Sequence, residues 1–214
     1  IGGGNPDANS RLRQAVTAAR AANMPSKNIE NAIKRGTGEI EGVAYEEVTY
    51  EGYGPGGVAL YIQSMTDNKN RTSSEIRHIL AKHGGSLGEV GCVTWMFEKK
   101  GQIIVNGDAS LEDKLMEIVL EVGGEDVQYT GDAFTVTTSP SDMEAVRDAI
   151  QAGGFETVAA EVRMVPNSTK RLEGKDAERM LKLMELLEEH DDVQSVAANF
   201  DIDDALIEQI AASR

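Results

Sequence analysis

The chain of 214 residues contains one cysteine, one tryptophan, five prolines and three histidines, and aromatics make up only 5% of it. The single thiol, Cys92, excludes an internal disulfide and any cysteine-based metal site. His78 and His83 stand five positions apart on one expected helix, roughly 140° apart around its axis, so they cannot share a metal without a third element. No apolar run approaches the roughly 18 residues needed to cross a bilayer, and no signal-peptide pattern is present. Cations are scarce as well: 21 Lys and Arg face 36 Asp and Glu, for a formal net charge of −15. That balance argues at first against a nucleic-acid partner. Together these shortages fit a reduced, cytoplasmic setting with no membrane partner. Ile1 in place of a methionine leads us to expect that a segment precedes the chain.

Catalysis would require a nucleophile beside a base, or paired carboxylates in a pocket. Cys92 falls in an apolar run, Cys92 to Phe97, that reads as a strand, which makes it an inert core thiol. Gly54-Pro55-Gly56-Gly57 lacks the strand-then-helix context of a nucleotide loop and reads as a hairpin turn. The acidic pairs Glu188-Glu189 and Asp191-Asp192 read as a solvated helix end. No catalytic residue, metal site or cofactor is therefore expected. Binding is the better class.

The charge is unevenly spread. Residues 1–43 carry six basic and four acidic side chains, and residues 44–100 carry six and seven. Residues 101–165 carry three basic against 13 acidic, and residues 166–214 six against 12. The acid lies in the second half, and the first half is near neutral with clustered cations.

Hydrophobic periodicity divides the chain further. Asn5 is expected to cap a first helix with Pro6 in its first turn and Leu12, Ala15, Val16, Ala19 and Ala22 as its stripe. Pro25 opens a second helix with Ile29 and Ile33 inward, ended by Gly36. Two short Ala-rich helices make a poor core alone, so a preceding third helix or a packing neighbour is expected. Thr37 to Val43 reads as a linker. Strands follow at Val48–Tyr53 and Val58–Met65, then a helix with Ile76, Ile79 and Leu80 inward, then the Cys92–Phe97 strand. The segment from Gly101 to Val165 reads β-α-β-β-α-β, the ferredoxin-like pattern. Beyond Pro166 come a helix from Asp176 to His190, with Met180 and Met184 as core filling, a strand Val193–Asn199 and an apolar tail. The expected fold class is α+β: an N-terminal helical hairpin or bundle (1–43), then two α/β domains, one ferredoxin-like (101–165) inserted into the other (44–100 plus 166–214).

The stretch from Asp67 to Thr72 is rich in donors and leads into the helix of the central unit. Lys69, Arg71 and free backbone N–H groups at a helix start suit an anion. Equally, Asn68, Asn70 and Thr72 suit a turn and a helix cap. Further candidate phosphate ligands are Arg11, Arg13, Arg20, Lys27, Lys34 and Arg35 on the helical domain, with Arg77 and Lys82 on the central unit; helix surfaces also carry such cations for solubility alone. Tyr50, Tyr53, Tyr61 and Trp95 read as core or strand pairs, too sparsely interleaved with cations for a stacking platform.

Several stretches together resemble one family: Gly3-Gly4-Asn5-Pro6-Asp7, Ala22-Asn23-Met24-Pro25, Asn28-Ile29-Glu30 with Ile33-Lys34-Arg35-Gly36, Tyr50 through Gly57, Thr66-Asp67-Asn68 with Asn70-Arg71-Thr72, and Gly84-Gly85-Ser86-Leu87-Gly88. By these the chain is similar to the YebC/PmpR family, which includes a mitochondrial translational activator of cytochrome c oxidase subunit one. The resemblance covers nearly the whole chain and is strongest through residue 100. It implies three domains and a cytoplasmic, DNA-binding transcriptional regulator, or a translation factor contacting ribosomal RNA. A basic segment that opens family members has no counterpart here, so the chain's −15 overstates the acidity expected of a full-length relative. A third possibility is a protein-interaction module, with the acidic inserted domain offered to a protein partner.

Overall fold

The computed structural model describes residues 3–39 and 45–212, without the side chains of residues 204, 211 and 212. The expected linker from Thr37 to Val43 falls, from residue 40 on, outside the described residues, as does the start at Ile1-Gly2.

Helix α1 spans Ser10–Ala21 and α2 spans Ser26–Gly36. The first helix starts later than expected. Asn9, not Asn5, caps it by accepting the Leu12 N–H at 3.1 Å, while the Asn5 side chain accepts the Asp7 N–H in a preceding turn. Only Val16 and Ile29 are buried in this hairpin, and a gap of about 200 Å³ lies beside them.

Strands β1 (Glu46–Tyr53) and β2 (Ala59–Thr66) form an antiparallel hairpin around a short 3-10 turn at Pro55–Gly57. With β3 (Ser86–Leu87) and β9 (Val193–Ala198) they make a sheet of order β3-β1-β2-β9. Alternation along β1 and β2 sends Tyr50, Leu60 and Ile62 to one face. There α3 (Lys69–Lys82) and α6 (Gly174–Glu188) cover them with Ile76, Leu80, Met180, Leu183 and Leu187.

The second sheet comprises β4 (Phe97–Asn106), β5 (Gly124–Tyr129), β6 (Ala133–Thr138) and β7 (Glu156–Pro166) in the order β5-β6-β4-β7, with every pairing antiparallel. Helices α4 (Glu112–Glu121) and α5 (Met143–Ala152) pack on it through Leu115, Val119, Val146 and Ile150. This is a ferredoxin-like unit inserted between two halves of the first α/β unit, since β9 and α6 return to the first sheet. Short β8 (Lys170–Arg171) and β10 (Phe200–Asp201) pair in parallel, and α7 (Asp204–Ala212) ends the described chain.

One expected strand is absent. Cys92–Met96 is turn and 3-10 helix, and the strand begins at Phe97 and runs unbroken across residues 100 and 101. Val93 and Phe97 instead join Ala59, Tyr61, Met164 and Ala197 in a small cluster between the two sheets. Leu183 has no exposed surface in the larger core. We expect Leu183→Ala to lower unfolding free energy by about 3 kcal/mol in urea denaturation, the usual cost of such a cavity.

Candidate nucleic-acid interface

The loop before α3 is held together by a carboxylate from far along the chain. Asn68 caps the helix, its side chain accepting the Arg71 N–H at 3.1 Å. The Arg71 guanidinium bridges Asp67 at 2.8 Å and Asp192 at 2.9 Å. Asp192 Oδ2 also accepts from the Thr72 hydroxyl at 2.6 Å and the Thr66 hydroxyl at 3.2 Å. Burial pushes the Asp192 carboxyl up, but Arg71, Thr72 and Thr66 outweigh that and hold it below the ordinary value. For Asn68 and Thr72, capping and turn formation are what the structure shows.

His190 extends this network. Its Nδ1 accepts the Asp192 N–H at 3.1 Å, so a neutral ring carries its proton on Nε2, which faces Glu75 at 3.0 Å. Glu75, His190 and Asp192 lie within metal-ligand reach of one another. With one nitrogen accepting and the other protonated, the imidazole has no free lone pair to give.

The predicted cations fall into two groups. Lys69 pairs with Glu46 at 2.5 Å, Arg11 with Glu47 at 2.8 Å, and Arg71 with its two aspartates. Arg13, Arg20, Lys27, Lys34, Arg35 and Arg77 are exposed and have no ion pair among the described residues; Asn70 is exposed in the first turn of α3. Arg13 and Arg20 are seven apart on α1, as are Lys27 and Lys34 on α2, so each pair shares a helix stripe. A cleft of about 1020 Å³ between the sheets, lined by Thr49, Gln63, Gln102 and Ser195 among others, carries mixed charge at Arg11, Glu47, Glu161 and Arg163.

Sequence reasoning missed Glu51. It lies on the sheet face opposite Tyr50, is 4% exposed, and accepts three backbone N–H groups, from Gly91 at 2.7 Å, Val93 at 2.8 Å and Thr94 at 2.9 Å. Those donors are therefore lost to any strand ladder, which is why Cys92–Met96 is not extended. A Cβ at Gly88 would stand 2.5 Å from Cys92 Sγ, so a larger residue there would have to displace the Cys92 side chain. Tyr50 is buried, Tyr61 packs on Phe97 and Tyr53 ends β1 paired with Ala59 and Ser86, though partly exposed; Trp95 lies exposed in the 3-10 turn, contrary to the expected core or strand role. The only signal in the sequence was a lone Glu between Tyr50 and Gly52, forty residues before Gly91.

A family profile described as the TACO1/YebC second and third domain matches residues 45–200, and one described as the TACO1/YebC N-terminal domain matches residues 1–39. A protein of Desulfatibacillum aliphaticivorans named "probable transcriptional regulatory protein" is 58% identical over 207 residues, 97% of this chain and 84% of its own length. One of the same name from Dictyoglomus turgidum is 56% identical, over 98% of this chain and 85% of its own. The crystal structure of a conserved hypothetical protein from Aquifex aeolicus superposes with a TM-score of 0.85 at 47% identity, covering 94% of this chain and 84% of that one.

Burial also raises the Glu51 carboxyl, but the N–H groups of Gly91, Val93 and Thr94 outweigh it and leave it below the ordinary range. A depressed folded pKa stabilises fully above the unfolded value and is lost as pH falls through the folded one. The urea midpoint should thus stay flat from neutrality down to about pH 5 and fall below about pH 4. In Glu51→Gln and Asp192→Asn the midpoint at neutral pH should drop and the acid limb should flatten; an unchanged acid limb in both would refute the assignment.

Proposed function

The chain belongs to the TACO1/YebC family, and from that premise we propose a non-enzymatic, cytoplasmic regulator of gene expression that binds nucleic acid through its α1–α2 hairpin. The supporting observation is the set of exposed cations without ion pairs among the described residues: Arg13, Arg20, Lys27, Lys34 and Arg35. Their side chains reach phosphate oxygens, whose counterions are released on contact. Arg20, Lys34 and Arg35 lie in the last turns of their helices, where the dipole favours positive charge. The loop before α3 adds a weaker second contact, because Lys69 and Arg71 are already neutralised. Arg77, on the same helix and unpaired among the described residues, belongs with that second contact. The acidic inserted unit turns from phosphate and is free for a protein partner. The relatives' shared name favours DNA; ribosomal RNA would meet the same cations in a translation factor.

Affinity for a DNA duplex should fall steeply with salt. Arg20→Ala and Lys34→Ala should each reduce the slope of log affinity against log salt by about one, while Lys69→Ala should change it less. Filter binding across a salt series reads this directly. An affinity indifferent to salt and to both substitutions would remove the hairpin from the interface.

A further inference from the structure

Trp95 is the only tryptophan, and 73% of its surface is exposed between buried Val93 and buried Phe97. Tyr53 is 38% exposed. Both rings are fastened to one atom: the Cys92 carbonyl oxygen accepts the Trp95 Nε1–H at 3.1 Å and the Tyr53 hydroxyl at 3.3 Å. That carbonyl is itself fixed. The Glu51 carboxylate holds the amides on either side of it, from Gly91, Val93 and Thr94, and the Cys92 N–H donates to Glu89 O at 3.1 Å. The loop therefore presents two aromatic rings in fixed positions, with their polar donors satisfied within the chain. What remains on offer is flat π surface.

We propose that Trp95 and Tyr53 form a stacking platform for unpaired nucleobases, so that the nucleic acid bound by this chain is single-stranded or contains an unpaired loop. The inference rests on the nucleic-acid function proposed above and narrows its substrate. A base stacks on an aromatic face without needing the indole N–H, and every base has such a face. In a duplex those faces are covered by neighbouring pairs, so the platform discriminates by strandedness and not by sequence. Lys99, exposed near the start of β4 and four positions beyond Trp95, has no ion pair among the described residues and is the cation nearest to Trp95 in sequence. Glu89, on the platform's own loop, and Glu98, three positions beyond Trp95, are the exposed carboxylates that a backbone whose bases stack there must avoid.

Because Trp95 is the sole tryptophan, its fluorescence reports on this one place. The chain is titrated at low salt with a single-stranded oligouridylate, a single-stranded oligothymidylate and a DNA duplex of the same length. We expect both single strands to quench Trp95 on binding. Trp95→Ala should weaken single-strand binding on the order of ten-fold, Trp95→Phe should retain most of it, and duplex binding should be unchanged in both. Lys34→Ala should weaken all three ligands yet leave the quenching at saturation intact. Single strands that bind without quenching, and equally well to Trp95→Ala, would overturn the platform and leave the hairpin interface standing. Failure of all three to bind at low salt would overturn the nucleic-acid function, and the platform with it. Saturable quenching by a protein partner instead, with no effect of single strands, would overturn the base-stacking assignment alone.

Discussion

The first α/β unit is assembled from two stretches separated by the ferredoxin-like insertion, and the carboxylate of Asp192 joins them. It sits where the chain re-enters the first sheet, one residue before β9. It meets Arg71, Thr72 and Thr66, which belong to the first stretch and lie between 120 and 126 residues earlier. Its carbonyl accepts the Met65 N–H at 2.8 Å, so the same residue also continues the backbone pairing of β2. A buried carboxylate is expensive unless its lone pairs are filled. Here a guanidinium and two hydroxyls fill them only when both stretches are in place. The cationic loop is thus a seam of the fold first and a surface second.

Glu51 solves a different problem with the same chemistry. On the far face of the sheet, the cover over Ala59 is an irregular loop that closes in a 3-10 turn, followed by the edge of the second unit. An irregular loop has backbone donors that no ladder satisfies, and three of them converge on Glu51. With its amides held inward, the loop buries Val93 and Phe97 and turns the intervening Trp95 outward. Exposure of a large apolar ring is therefore a consequence of how the loop is closed. Satisfying its N–H internally keeps that ring from being a loose side chain.

What the sequence made legible follows from the range of the forces involved. The helices over Ile76 to Leu80 and Met180 to Leu187 and the β-α-β-β-α-β order arise from periodic burial, which a local pattern carries. The start of α1 was misplaced because Asn5 and Asn9 are both competent caps, and only the competing turn at Asp7 decides between them. The apolar run at Cys92 has the composition of a strand, and what prevents one is a carboxylate forty positions away in another strand. The charge on Lys69 and Arg71 was legible too, but not its neutralisation, since Asp192 enters from beyond an intervening unit. Residue types reveal what a side chain can do; distant partners decide whether it is free to do it.

The same distinction bears on how a chain of net charge −15 would approach phosphate under the proposed function. Screening at physiological ionic strength confines electrostatic influence to about 8 Å, so a phosphate responds to the side chains it touches and little to acid on another unit. On α1 the stripe from Arg13 through Thr17 to Arg20 contains no acid, and the Thr17 hydroxyl is turned back to the Arg13 carbonyl at 2.9 Å. On α2 the stripe from Lys27 to Lys34 includes Glu30, which dilutes it. Under the proposed function the first helix would accordingly be the stronger phosphate contact and the second the weaker. Under that proposal the five cations Arg13, Arg20, Lys27, Lys34 and Arg35 would give affinity without sequence preference, leaving selectivity to a feature that recognises something other than charge. Trp95 and Tyr53 supply a surface of that kind: uncharged, positioned by the fold and indifferent to salt.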